Sequence, residues 1–247
     1  MLKALRRLGC HVTVRQTSAV PGDAARLARE AESEFEAIVA AGGDGTLNAV
    51  ANGIAAAPRP LGLLPFGTVN LLARELGLPH NPEALAHIVA MAAARPIWPG
   101  RVGDRLFLSV ASAGVDADVV AALDPRLKAR LGRLAFVPAL LRQLRNYQPR
   151  DLTVEIDDVV HRAAAVIAAK GRYYAGPFVS APGARVTEPS LHFVLLPRAD
   201  KAALLRYAAA LLRGRLSALP DVRVVRGRTA TLAADRDAPV ANCIYMH

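Results

Sequence analysis

The stretch Ala37-Ile38-Val39-Ala40-Ala41-Gly42-Gly43-Asp44-Gly45-Thr46-Leu47-Asn48 sets a short apolar run directly against a glycine-rich loop. Past the loop, Leu47, Val50, Ala51 and Ile54 fall at i, i+3, i+4 and i+7, which is one face of a helix. The stretch therefore reads as strand, loop, helix. A second such unit follows, with Leu61 to Leu64 as strand, Pro65-Phe66-Gly67-Thr68 as turn, and Asn70 to Leu76 as a short helix stopped by Gly77 and Pro79. Asn81, Pro82 and Glu83 then mark a helix start, as N-cap, first helical position and acid at the positive dipole end, and the helix should run to about Ala94. Upstream, Leu2 to Leu8 and Asp23 to Glu34 read as helices. Strands alternating with helices predict a parallel sheet with helical crossovers.

Beyond Pro96 the pattern turns to strands, with runs at Leu106 to Ala111, Leu152 to Ile156, Ala163 to Ala169, Leu191 to Leu196 and Val222 to Arg226. Asp157-Asp158 reads as the turn of a hairpin. Helices are expected around 126–147 and 200–213. The fold class is thus α/β: an N-terminal parallel-sheet domain over residues 1–97 and a β-rich domain over residues 98–247.

Gly42, Gly43 and Gly45 let backbone N–H groups approach a phosphate without Cβ atoms in the way. The helix that follows, read as starting near Thr46, adds free amides and a positive dipole end. An aspartate in such a loop repels a bare phosphate, so Asp44 points to a cation-linked or proton-accepting role. The alternative is a tight turn in which Asp44 only caps the helix. Thr68 and Asn70 occupy the matching strand-to-helix junction of the next unit, and in a parallel sheet both loops emerge at the same edge, where nucleotides bind.

A net charge of +10 and a pI near 10.4 favour an anionic partner. No apolar run approaches the ~20 residues needed to span a bilayer, and the basic start Met1 to Arg7 lacks the apolar core of a secretory signal. Cys10 and Cys243 stand far apart without metal-ligand spacing, none of the six histidines has a partner at such spacing, and no Gly-x-Ser-x-Gly elbow occurs. A disulfide scaffold and a serine hydrolase are set aside on those grounds. Between Pro125 and Arg150 stand Arg126, Lys128, Arg130, Arg133, Arg142, Arg145 and Arg150 with no acid, while Leu127, Leu131, Leu134, Leu141 and Leu144 fall near one helical face. This pattern fits an amphipathic helix on an anionic membrane, with the arginines facing headgroups. It equally fits a domain helix with solvated arginines. Aromatic residues suited to stacking bases are sparse, which disfavours nucleic acid.

Gly42-Gly43-Asp44-Gly45-Thr46-Leu47-Asn48, Leu64-Pro65-Phe66-Gly67-Thr68-Val69-Asn70, Ala73-Arg74-Glu75-Leu76-Gly77-Leu78-Pro79 and the segment Tyr173 to Ala184, in that order, resemble the diacylglycerol kinase catalytic family, which includes bacterial lipid kinases and sphingosine kinases and shares its glycine loop with NAD kinases. The resemblance implies a nucleotide domain and a β-sandwich-like second domain, with the active site between them. It implies ATP held by Gly42, Gly43, Asp44, Gly45, Thr46, Leu47, Asn48, Gly67, Thr68 and Asn70, with Thr17 as a further contact, and Mg²⁺ to screen the phosphates; Asp44, organising Mg-ATP with the flanking glycines, is the catalytic candidate that this chain offers. Glu188 stands where family members often carry an acid linked to a structural metal, although Pro189 replaces the usual glycine. The chain departs from the family pattern in other places: the family begins with a strand, whereas this sequence starts at what reads as the following helix, Leu2 to Leu8, so the resemblance implies a first domain without its first strand. Leu71 replaces an acid, Ile97-Trp98 replaces Ile-Asp, and the closing stretch has no acid after Asp237, where the family carries a catalytic carboxylate.

The expected function is an ATP-dependent lipid kinase phosphorylating a lipid hydroxyl. Its partners would be a lipid substrate and an anionic membrane surface, without nucleic acid; a homodimer is left open. Its place would be the cytoplasm, peripheral at the inner membrane surface. Two alternatives stay open, a catalytically impaired nucleotide-binding or lipid-binding remnant and an NAD-kinase-like enzyme.

Overall fold

The computed structural model describes residues 1–18, 20–31, 35–114, 151–234 and 242–246, the last of these by backbone alone. Two units emerge, Met1–Pro96 and Ile97–His247. The predicted helix at 126–147, with Arg126, Lys128, Arg130, Arg133, Arg142 and Arg145, lies outside the described residues, as does Asp237.

In the first unit the described elements are α1 (Leu2–Arg7), α2 (Asp23–Glu30), β1 (Ile38–Gly42), α3 (Asp44–Gly53), β2 (Leu61–Pro65), α4 (Leu71–Glu75) and α5 (Pro82–Met91). β1 and β2 pair in parallel, Ile38 opposite Leu61 and Gly42 opposite Pro65, so both strands deliver their loops to one edge. Around the pair, helices are brought close to one another through small residues. Ala4 and Leu5 of α1 pack on Ala86 of α5. Gly53 lets α3 approach α2 so closely that a Cβ there would fall 2.4 Å from the Ala25 carbonyl oxygen. The Asn81 side chain accepts from the amides of Glu83 at 2.8 Å and Ala84 at 3.3 Å, and so caps α5. That helix ends at Met91, short of the expected Ala94, because Ala92 turns to an extended conformation ahead of the Pro96 segment.

The second unit is a sandwich of two sheets. Its strands are β3 (Gly100–Val102), β4 (Arg105–Phe107), β5 (Val110–Gly114), β6 (Leu152–Ile156), β7 (Val159–Ala163), β8 (Ala165–Ala169), β9 (Tyr173–Tyr174), β10 (Phe178–Val179), β11 (Leu191–Leu196), β12 (Arg223–Gly227), β13 (Thr229–Ala234) and β14 (Asn242–Met246). A helix, α6 (Lys201–Leu212), intervenes between β11 and β12. The four-stranded sheet runs β12-β11-β8-β5 and the six-stranded sheet β4-β3-β14-β13-β6-β7, with all the pairings antiparallel.

Alternation along β8 and β11 explains the sandwich. Val166, Ala168, Leu191, Phe193 and Leu195 face the six-stranded sheet, where they meet Val154, Ile156, Ala230 and Leu232. Ala165, Ile167, Ala169, Val194 and Leu196 face the other way, onto Ala203, Leu204 and Tyr207 of α6. Both faces being covered, these two strands are apolar without interruption but for His192.

Two of the runs read as single strands are divided between two sheets. Leu106 to Ala111 splits into β4 and β5, and Ala163 to Ala169 into the end of β7 and β8, whereas Val222 to Arg226 falls to β12 alone and the chain passes at Arg228 into β13, a strand of the other sheet that the sequence pattern did not mark. At Ala164 the amide pairs with the Leu196 carbonyl oxygen at 2.8 Å as the chain changes sheet. Hydrophobic alternation carries straight through such a corner, which is why the sequence does not mark it.

Candidate active site

α3 begins at Asp44, two residues earlier than the glycine pattern predicts, because Gly43 at φ −92, ψ −174 is already an extended N-cap. No side chain caps this end. The amides of Gly45 and Thr46 thus stand at the positive end of the helix with no N-cap side chain engaging them. A Cβ built on Gly45 meets nothing within 4 Å, whereas one on Gly42 would press into the Thr46 side chain at 2.6 Å. Gly42 is glycine to suit the protein, whereas a side chain at the exposed Gly45 would meet only open space.

The second loop is organised by Asn70. Its backbone is left-handed, φ 51 and ψ 59, a conformation that asparagine tolerates better than most residues. Its side chain accepts from the Gly67 amide at 3.0 Å and donates to the carbonyl oxygens of Gly67 at 2.6 Å and Pro65 at 3.2 Å. Gly67 then lies against Gly43, backbone to backbone, so closely that a Cβ on Gly67 would sit 2.4 Å from the Gly43 Cα. The Phe66 amide donates to the Gly42 carbonyl oxygen at 3.0 Å.

Asp44 completes the junction, since its Oδ1 accepts from the Leu71 amide at 2.7 Å. The carboxylate thus caps α4, the helix of the other loop. Burial pushes the Asp44 carboxyl up from its ordinary value of 3.8, and the amides of Leu71, Leu72 and Asn70 and its own pull it only part of the way back. A half-buried carboxylate of raised basicity at the start of a helix is suited to accepting a proton or holding a cation.

Of the sequence candidates, Gly42, Gly43, Asp44, Gly45 and Thr46 form this junction with Gly67 and Asn70. Thr68 is exposed on the turn between Gly67 and Asn70, and Asn48 is half-buried on α3, its Oδ1 inside the protein. Leu47 has its side chain 2% exposed in the core, and its amide bonds the Gly43 carbonyl oxygen at 3.0 Å. Thr17 is exposed on the segment before α2, next to Ser18, whose amide and hydroxyl donate to Asp23. Glu188 belongs to the second unit, and its Oε2 meets Arg226 Nη2 at 3.1 Å. Among the described residues no group of three or more His, Cys, Asp or Glu side chains could hold a metal ion by itself. Two features escaped the sequence reading: the Leu71 amide as partner of Asp44, and Phe66, whose ring stands 70% exposed beside the loops. A large apolar side chain within a Pro-x-Gly turn was the one signal for the latter.

Residues 1–102 match the diacylglycerol kinase catalytic domain, and residues 109–243 match the YegS C-terminal NAD kinase beta sandwich-like domain. The diacylglycerol kinase of Bacillus subtilis is 31% identical over 220 residues, 87% of this chain and 72% of that protein. A probable YegS-like lipid kinase of Pseudomonas putida is 36% identical over 182 residues, 71% of this chain and 61% of that protein. The fold matches a solved diacylglycerol kinase structure from Bacillus anthracis with a TM-score of 0.78 at 21% identity, over 100% of this chain and 86% of that one. With more than half of its length matched by the second of these domains and the remainder largely by the first, the chain belongs to the diacylglycerol kinase family of lipid kinases.

Proposed function

We propose that this protein is an ATP-dependent kinase that transfers the γ-phosphate of ATP to the hydroxyl of a diacylglycerol-like lipid. The observation that carries this reading is the joining of the two loops by Asp44, with uncapped first-turn amides and the open space above Gly45 beside it. The amides of the α3 N-terminus would hold phosphate oxygens. Phe66 offers an exposed ring against which a planar base can stack. The second Asp44 oxygen would face Mg²⁺ or the acceptor proton. Mg²⁺, when bound, neutralises the charge that builds on the phosphates.

The test is transfer of label from ATP to mixed bacterial lipids in the presence of Mg²⁺. The wild type should phosphorylate lipid. Asp44→Asn should lose on the order of 10²–10³ in rate, and Gly67→Ala should weaken ATP binding itself by separating the loops. A second reading, nucleotide binding without transfer, has one observation in its favour, the engagement of Asp44 as a helix cap. ATP binding by the wild type with no labelled lipid from any mixture would select it.

A further inference from the structure

At the end of β8 stands Lys170, a lysine with no exposed surface. An ammonium in such a place is costly unless every N–H finds an acceptor. Lys170 Nζ meets three backbone carbonyl oxygens, Glu188 at 2.6 Å, Ser190 at 3.1 Å and Arg185 at 3.5 Å. Three donors against three acceptors uses the whole capacity of the group. All three carbonyls come from the short turn ahead of β11, and carbonyl oxygens converging on one positive centre make the donor set of a hard cation.

The side chains around the turn are arranged to suit. The Glu188 carboxylate faces Arg226, which also donates through Nε to the Ser190 hydroxyl at 3.1 Å. Between them, Lys170 and Arg226 leave this turn already supplied with positive charge. The turn in its grip presents Ala184, fully buried, and Val186, 4% exposed, to the interior, and the Val186 carbonyl oxygen accepts from the Trp98 amide at 2.8 Å.

We propose that Lys170 is the resident cation of the 185–190 turn, an ion tethered to the chain that fills the place a metal would take. The structural-metal role expected for Glu188 does not fit this arrangement. The carbonyls that would complete such a site are held by an ammonium, and a divalent ion would meet two positive groups. Burial lowers Lys170 to about 8, with Glu188 opposing, so the group is largely charged at neutral pH.

Thermal unfolding of the intact chain tests the assignment. In the wild type, Mg²⁺ or Ca²⁺ should cause no shift of the midpoint that Glu188→Ala abolishes. Lys170→Met, which keeps the length and removes the charge, should lower the midpoint by on the order of 5–10 °C, and no added cation should restore it. Lys170→Ala empties the cage, and methylammonium, but not tetramethylammonium at equal ionic strength, should recover part of the loss. A wild-type rise with divalent ion that Glu188→Ala removes would overturn the proposal, as would a Lys170→Met variant as stable as the wild type or a Lys170→Ala variant that methylammonium leaves unchanged. The wild-type titration decides even where the Lys170 variants fail to fold.

Discussion

Asn70 concentrates the strain of the site in one residue. A left-handed backbone at a residue bearing a Cβ is unfavourable by roughly 1–2 kcal/mol, and three hydrogen bonds to Gly67 and Pro65 hold it there. Asn70→Ala should therefore destabilise the first unit by about 2–4 kcal/mol, retaining the strain and losing the bonds. Asn70→Gly removes the strain as well and should fall between alanine and wild type. Urea unfolding of the three proteins checks the order, and alanine equal to glycine would show that the backbone conformation contributes nothing.

Among elements, the hairpin of β6 and β7 does more than join two strands. Asp157 and Asp158 both have positive φ, 43 and 69, the pattern of the turn that suits a twisted hairpin. The Asp157 carboxylate also accepts from the Thr229 amide at 2.8 Å, the Thr229 hydroxyl at 3.0 Å and the Arg228 amide at 3.0 Å. It thereby pins the corner where the chain passes from β12 to β13. Burial works against the charge, but these donors and Arg228 outweigh it, and the carboxyl lies below its ordinary 3.8. A lowered folded pKa means stability that is complete above 3.8 and is lost as pH falls through the folded value. Asp157→Asn should flatten the acid unfolding curve below that pH. At neutral pH it should cost about 1 kcal/mol, a figure kept small by the exposure of the turn. Equal acid slopes for variant and wild type would remove the carboxylate from the corner's stability.

Over the molecule as a whole, a net charge of +10 acts at longer range than any contact described above. Among the described residues no helix is long and apolar enough to cross a membrane. We expect flotation with vesicles containing anionic lipid and not with neutral ones. Binding should fall steeply as salt shortens the screening length from about 10 Å at 0.1 M to about 3 Å at 1 M. Replacing Arg126, Arg130, Arg133, Arg142 and Arg145 with glutamine should weaken flotation several-fold if that segment supplies the contact. Binding that ignores both salt and these substitutions would assign membrane attraction to another source.

Local chemistry is what the sequence determined by itself. The two glycine loops, the Asn81-Pro82 helix start, the Asp157-Asp158 turn and the strands Leu152–Ile156 and Leu191–Leu196 follow from conformational preferences of neighbouring residues, and these are written within a few positions of where they act. Tertiary structure alone decided which distant groups meet. Asp44 and Leu71 are 27 residues apart, and no periodicity connects a carboxylate in one loop with an amide in the next. Lys170 and Ser190 are 20 apart, and a lysine at a strand end reads as solvated until both faces of β8 are seen to be covered. The sheet-changing corners at Ala164 and Arg228 are silent for the same reason: alternation encodes which side of a strand is apolar, but not which sheet lies against it.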